Sequence, residues 1–190
     1  VLNLRFSKLV DNDLNGIGAL KNTLEVLLLN FNKELTSEGL RHCKDLVKLK
    51  TLDLGYCYGI DDLSPLKGCL NLEEVDVSCF GGLTDDSFEV FSEDRNSFPN
   101  LRVLDLSDCE NLTEKVFEQL SKSNHLVYQL KELNVGAMSE SLSSSATARN
   151  SLCQLQGLRK LSLARFSALS DVSHDLKLEL LRELKNLEGF

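Results

Sequence analysis

The stretch LKTLDLGYC, from Leu49 to Cys57, is repeated in pattern by LRVLDLSDC, from Leu101 to Cys109. Leucine takes the first, fourth and sixth places of both, and cysteine the ninth. A core needs apolar residues but no particular spacing, so a recurring spacing marks a structural unit used more than once. The template L-x-x-L-x-L-x-x-N/C-x-x-L recurs from Leu24 (LEVLLLNFN), Leu49, Leu72 (LEEVDVSCF), Leu101, Leu130 (LKELNVGAM) and Leu158 (LRKLSLARF). VLNLRFS at the start fits a unit lacking its first two places, and LEGF from Leu187 opens another. The chain therefore reads as a single domain over residues 1–190, built from about seven units of 23–29 residues.

One such unit is too small to bury its own apolar face. Its short strand alternates, leucines to one side and the intervening residues to the other. Stacking the units pairs the strands in parallel and merges the leucines into one continuous core. Each return leg supplies a further apolar residue, Leu35, Ile60, Leu83, Leu112 or Leu169, and then a turn or helix. Helical candidates are SEGLRHCKDL after Leu35, DDSFEVFSE after Leu83, TEKVFEQLSK after Leu112, and SHDLKLELLRELKN. In the last, Ser173 suits an N-cap, and Leu176, Leu180 and Leu184 fall at four-residue steps. Pro65 leaves its unit room only for a turn or a short 3₁₀ piece.

These units resemble the leucine-rich repeat family over essentially the whole chain. The resemblance implies an α/β solenoid, a curved right-handed horseshoe with a parallel sheet on its concave face and helices and turns on its convex face. It implies a binding scaffold and no catalysis. Cys57 and Cys109 at the ninth place, with Cys43 late in a helix, resemble the cysteine-containing subtype familiar from F-box substrate receptors of ubiquitin ligases. Units of 28 and 29 residues are also similar to ribonuclease-inhibitor-like repeats. The ninth place otherwise holds Ser7, Asn32, Phe80, Met138 and Phe166.

Other chemistry is sparse. A formal net charge of −8 disfavours phosphate-backbone binding, which needs clustered Lys and Arg. Apolar runs are too short to span a membrane, and no signal peptide opens the chain, although it reads as a segment of a larger protein. The six cysteines form no CxxC pair, and buried ninth-place thiols point to a reducing, intracellular compartment. Cys57 and Cys109 lie two units apart, roughly 9–10 Å, beyond the disulfide reach of about 7 Å, so the thiols are expected to be free. Phosphate loops and HExxH are absent, and His42, His125 and His174 fall in different units, so no cofactor or metal is expected. His42–Cys43 reads as a solvent-facing histidine beside a buried helix thiol. The Cys43-Lys44-Asp45 run matches the Cys-x-Asp of some bacterial repeat-containing ubiquitin ligases, but there the motif sits in a separate helical domain. Cys79 occupies the usually exposed eighth place and reads as an inert thiol rather than a reactive one. Ser139 to Ser151, SESLSSSATARNS, reads as a flexible convex-side connection, with phosphorylation as the alternative.

The outward places remain for function. The fifth place carries Asp53, Asp76 and Asp105 in successive units, a like-charge column that water, counter-ions or a basic partner must offset. The seventh place is mostly small after Arg5. The eighth place begins Phe6, Phe31, Tyr56, which suits a binding hot spot unless the rings tuck under the following loops as core. The expected partner-binding set is thus Arg5, Phe6, Phe31, Asp53, Tyr56, Asp76 and Asp105. The expected partner is a protein with a basic and apolar surface, with no role for nucleic acid or membrane. Two rival settings stay open: the substrate-recognition arm of an F-box-type ubiquitin ligase, and a recognition domain of an innate-immune or pathogen-secreted protein. With no polar capping unit at either side, the ends are expected to continue into the parent protein or to self-associate end to end.

Overall fold

Seven parallel strands form one sheet, in the order of the chain. They are β1 (Leu2–Asn3), β2 (Val26–Leu28), β3 (Thr51–Asp53), β4 (Glu74–Asp76), β5 (Val103–Asp105), β6 (Glu132–Asn134) and β7 (Lys160–Ser162). This computed structural model describes residues 1–79, 81–92, 97–136, 145–163 and 174–189. The fourth-place residues Leu2, Leu27, Leu52, Val75, Leu104, Leu133 and Leu161 pair in one row across all seven strands. A slip of one residue would turn every leucine to solvent, so the apolar alternation sets this register. The sheet continues into LEGF: Lys160 bridges to Gly189, and the Leu161 amide donates to the Gly189 carbonyl at 3.1 Å. The architecture is an α/β leucine-rich-repeat solenoid, as the repeat pattern requires.

Fourth- and sixth-place side chains from successive strands merge with Leu35, Ile60, Leu83 and Leu112 of the return legs into one buried cluster. The convex side carries α1 (Ser37–Leu40), α2 (Lys115–Lys122), α3 (Leu126–Gln129), α4 (Ala146–Cys153) and α5 (His174–Glu183) among the described residues. The helix expected from Ser37 stops after one turn and continues as 3₁₀ through Arg41–Cys43. The one expected at DDSFEVFSE is 3₁₀ over Asp85–Phe91 rather than α, and Pro65 sits in a 3₁₀ piece, Ser64–Gly68. The Pro65 unit is the shortest, and a 3₁₀ turn fills its outer arc at fewer residues per turn. The Asp85–Phe91 piece lies in a unit as long as the one that carries α2, so unit length does not set its winding.

The serine-rich connection contains a helix. Its second half is α4, capped by the Ser145 hydroxyl, which accepts from the Ala148 amide at 3.2 Å, with Ala148 and Leu152 buried at i, i+4. Serine content conceals this helix, because its buried face is only two small apolar steps wide. Residues 139–144 of that connection lie outside the described residues, as do Phe80, Met138, Phe166, Leu169 and the expected cap Ser173.

Two polar ladders stitch the units together. At the ninth place, the side chain donates to the sixth-place carbonyl of the preceding unit. Asn32 Nδ2 reaches Leu4 O at 2.8 Å, Cys57 Sγ reaches Leu29 O at 3.3 Å and Cys109 Sγ reaches Val77 O at 3.1 Å. This is why the template accepts asparagine or cysteine there: both are compact donors. Asn32 also donates to Leu29 O and accepts from the Leu9 amide, with no exposure to solvent. The second ladder lies outside the template. Before the first-place leucine the chain closes a turn, in which the amides of Leu49, Leu72, Leu101, Leu158 and Leu187 donate to the carbonyl three residues back at 3.0–3.2 Å. The third turn residue is asparagine in three units. Asn71, Asn100 and Asn186 donate to the carbonyls of Val47, Leu70 and Gln156 of the preceding turn, at 2.6, 3.0 and 2.9 Å.

All six cysteines are free, as expected, with Cys43, Cys57, Cys69 and Cys109 buried. Burial pushes the Cys43 thiol up to about 12 and those of Cys57 and Cys69 to about 11, so these groups stay protonated. His42 beside Cys43 is half-buried rather than solvent-facing.

Two outcomes follow from this bonding. Asn32→Ala strands the Leu4 carbonyl and the Leu9 amide, leaves the Leu29 carbonyl with Cys57 alone, and a thermal melt will show a loss of about 2 kcal/mol or more. Ellman titration of the denatured, unreduced chain will count all 6 thiols, and a count of two or fewer would disprove the free-thiol structure.

Candidate functional site

The strands end in a sharp outward turn, and the eighth-place residue makes it. Phe6, Phe31, Tyr56, Cys79 and Asp108 all lie in the left-handed region, with φ between 56° and 65°. Aspartate tolerates that region, but a bulky aromatic there is strained by about 1–2 kcal/mol. The amides of the first four donate to the next unit's seventh-place carbonyls, which locks the conformation into the sheet ladder. The result is a stack of rings along the strand ends. Phe6 and Phe31 are 4.3 Å apart at 14°, and Phe31 and Tyr56 are 4.2 Å apart at 10°. None of the three belongs to the buried core; Phe6 is 67% exposed. Phe31 and Tyr56 are half-buried, so these rings lie at the edge of the core rather than within it.

The column continues past the rings. The Tyr56 hydroxyl hydrogen-bonds to the Cys79 thiol, which raises the tyrosine to about 12. Cys79 Sγ lies 3.9 Å from Asp108 Oδ2. Desolvation raises the Cys79 thiol, the carboxylates of Asp108, Asp76 and Asp105 add to it, and Tyr56 partly opposes it. A thiol so placed is held protonated, which is the opposite of an activated nucleophile. Sequence reasoning missed Tyr58, whose ring meets Tyr56 edge-on at 6.3 Å, with Lys33 Nζ 5.5 Å from its centre. Tyr58 lies one place beyond the ninth, off the strand, so no periodicity marks it.

The aspartate column forms as expected, with Asp53 paired to Asp76 and Asp76 to Asp105 across β3–β5. Its charges are handled separately. Arg5 reaches over β2 and places its guanidinium 2.7 Å from Asp53, whose side chain is almost covered. Arg5 is therefore not a free cation beside the rings: it is committed to the aspartate column. Asp105 accepts from the Ser107 amide and hydroxyl and from Asn134 Nδ2 at 3.0 Å. Asp76 accepts from the Ser78 amide at 2.8 Å, and no ion pair forms at it among the described residues. Burial raises its carboxyl above the ordinary value, Ser78 partly offsets this, and Asp105 and Asp53 raise it further. Over these residues lies a hollow of about 250 Å³ that Arg5 and Glu74 also line. A larger hollow of about 550 Å³ follows over β5–β7, floored by Asp105, Asn134 and Ser162 and flanked by the Glu132–Lys160 ion pair.

All seven expected residues thus fall on the inner face or its trailing edge, at the fifth, seventh and eighth places. Among the described residues, no three His, Cys, Asp or Glu side chains converge to hold a metal ion. None of the described helices is long and apolar enough to cross a membrane.

No protein-family model and no curated protein matches the sequence. Solved structures share its fold. The TLR13–ssRNA13 complex superposes with a TM-score of 0.58 at 20% identity, over 92% of this chain and 23% of that one. The tropomodulin C-terminal domain of Caenorhabditis elegans gives 0.51 at 12% identity, over 92% of both chains. Leiomodin-1 actin-binding site 2 gives 0.50 at 13%, over 93% and 87%. At such identities the likeness is one of fold, and the chain spans under a quarter of the TLR13 chain's length.

The raised carboxyl of Asp76 makes a pH prediction. The folded chain holds that proton more tightly than the unfolded chain, so this group favours folding at low pH and the contribution is lost as pH rises through the carboxylate range. Asp76→Asn keeps the acceptor for the Ser78 amide and removes the charge. It will raise the melting temperature near pH 7 and give no advantage near pH 3, and an unchanged melt near pH 7 would refute the assignment.

Proposed function

We propose that this leucine-rich-repeat solenoid is a non-catalytic binding module that takes a partner protein on its concave face, with the ring stack as anchor. The observation that carries this reading is the stack Phe6–Phe31–Tyr56 outside the buried core, with Phe6 exposed and Phe31 and Tyr56 half-buried, held in a backbone conformation that disfavours aromatics. Each ring pair returns only about 0.5–1.5 kcal/mol by stacking, no more than the strain of its left-handed residues. Stacking by itself therefore does not offset that strain, whereas recognition gives a reason for rings at this place, since aromatics dominate interface energetics. Beside the rings, Asp76 and Asp105 offer carboxylates to a cationic partner group, and Arg5 displays how a guanidinium docks on the column. The same carboxylates repel a phosphate backbone, which supports a protein partner over a nucleic acid. Leiomodin-1 actin-binding site 2 and the TLR13–ssRNA13 complex place binding functions on this fold in other proteins. The intracellular setting, the cysteine-containing or ribonuclease-inhibitor-like subtype and end-to-end self-association remain part of this proposal.

The test is capture on the immobilised chain. Phe31→Ala and Tyr56→Ala will each weaken retention of the captured protein by about 2 kcal/mol or more, roughly thirtyfold, while the circular dichroism melt confirms folding. Retention of the same protein by both folded variants would remove the ring stack from the interface.

A further inference from the structure

The turns that precede the first-place leucines build a second surface, at the opposite end of the strands. The second turn residue, or its counterpart in α3, is Val47, Leu70, Pro99 and Tyr128 in four successive units. Val47, Leu70 and Tyr128 are 44%, 52% and 66% exposed, with Pro99 half-buried between them. None of the four belongs to the continuous core. A solvated turn ordinarily carries Asn, Asp, Ser or Gly. The flanking units have polar residues at this place, Asn22, Gln156 and Lys185, so the geometry does not demand an apolar side chain.

Charge on this leading rim runs against that of the whole chain. Within three residues of the column stand Lys44, Lys48, Lys50, Lys67, Arg102 and Lys131, against Asp45 and Glu73, although the net charge is −8. Lys131 Nζ donates to the Tyr128 carbonyl at 2.6 Å, which holds that cation against the column. Arg102, Lys131 and Arg159 line one hollow of about 440 Å³ at the strand starts, with Glu73, Glu74 and Glu132. The rim is thus a one-residue-wide apolar stripe beside which Lys48, Arg102 and Lys131 stand among Glu73, Glu74 and Glu132, while Lys50 is paired to Glu25 at 2.9 Å.

Its repeat distance selects the occupant. Neighbouring strands stand about 4.8 Å apart, and one turn of α-helix rises about 5.4 Å. A helix laid along the rim meets one unit per turn over three to four units, and acidic residues beside its apolar stripe face the bordering Lys and Arg. We propose that this rim is a second interaction surface whose occupant is an acidic amphipathic helix of a partner protein, seated with one apolar side chain per turn on the column from Val47 to Tyr128. A single-stranded nucleic acid fits less well, because Tyr128 is the column's one stacking ring.

The experiment titrates the full chain into a fluorescent synthetic helix of about 18 residues, with leucine once per turn and flanking glutamates, and follows anisotropy. The acidic helix will bind saturably and weaken as salt rises, and its Lys-for-Glu counterpart will not bind. Leu70→Asp with Tyr128→Ser will lose roughly tenfold or more in affinity, and so will Arg102→Glu with Lys131→Glu. Leu70, Tyr128 and Arg102 are exposed and Lys131 is half-buried, and the second pair keeps the test decisive if the first lowers the melt. Phe31→Ala will bind as wild type. Absence of binding, equal binding of the basic helix, or indifference to both rim pairs overturns the proposal. So do tighter rim-dependent binding of an oligouridine or of phosphatidylserine vesicles, and rim-dependent self-association in sedimentation.

Discussion

Everything in this molecule depends on one parallel ladder kept in register. Each strand is only two or three residues long and buries nothing by itself, so a unit is stable only while its neighbours supply hydrogen-bond partners and the other half of its apolar contacts. The row from Leu2 to Leu161 shows how strict this is, since one skipped residue would expose every leucine beyond it. The ninth-place donors answer the same demand. Where the strand ends, the sixth-place carbonyl would be buried without a partner, and Asn32, Cys57 or Cys109 of the next unit supplies one.

The ladder also generates the molecule's local conflicts. Leaving the strand takes a left-handed residue in the five units whose eighth place is described, and the sequence places Phe, Phe, Tyr, Cys and Asp there instead of glycine. The shared backbone conformation then aligns the rings, so that strain at one residue becomes a stack across three. The aspartate column is a conflict of another kind. Like carboxylates one strand apart repel, and the chain resolves them one at a time: an arginine for Asp53, an asparagine and a serine for Asp105, and incomplete compensation for Asp76.

Because strands all run the same way, their starts and ends form two distinct rims. Aromatic residues gather at the ends and the aspartate column on the inner face, while apolar turn residues gather at the starts, where Arg102, Lys131 and Arg159 stand among Glu73, Glu74 and Glu132. The net charge averages over this segregation and conceals it. Repeat geometry converts a residue type at one place of the template into a continuous stripe, which is how short units with few side chains each build surfaces long enough to recognise anything.

The sequence by itself determined the units, their register, the inward leucines, the adjoining columns of Arg5, Phe6, Phe31, Asp53, Tyr56, Asp76 and Asp105, and the free thiols. All of these follow from periodicity, and periodicity is a local property that survives in one dimension. Only the tertiary structure decided that Arg5 spans two strands to Asp53, because the partner of a long side chain depends on which neighbour is nearest in space. It alone distinguished 3₁₀ from α at Asp85–Phe91, since the apolar spacing of DDSFEVFSE does not separate the two windings. It alone brought Tyr58 against Tyr56, and lined Val47, Leu70, Pro99 and Tyr128 along one rim. Those residues stand before the first leucine, where the template carries no constraint, and they become a surface only once the units are stacked.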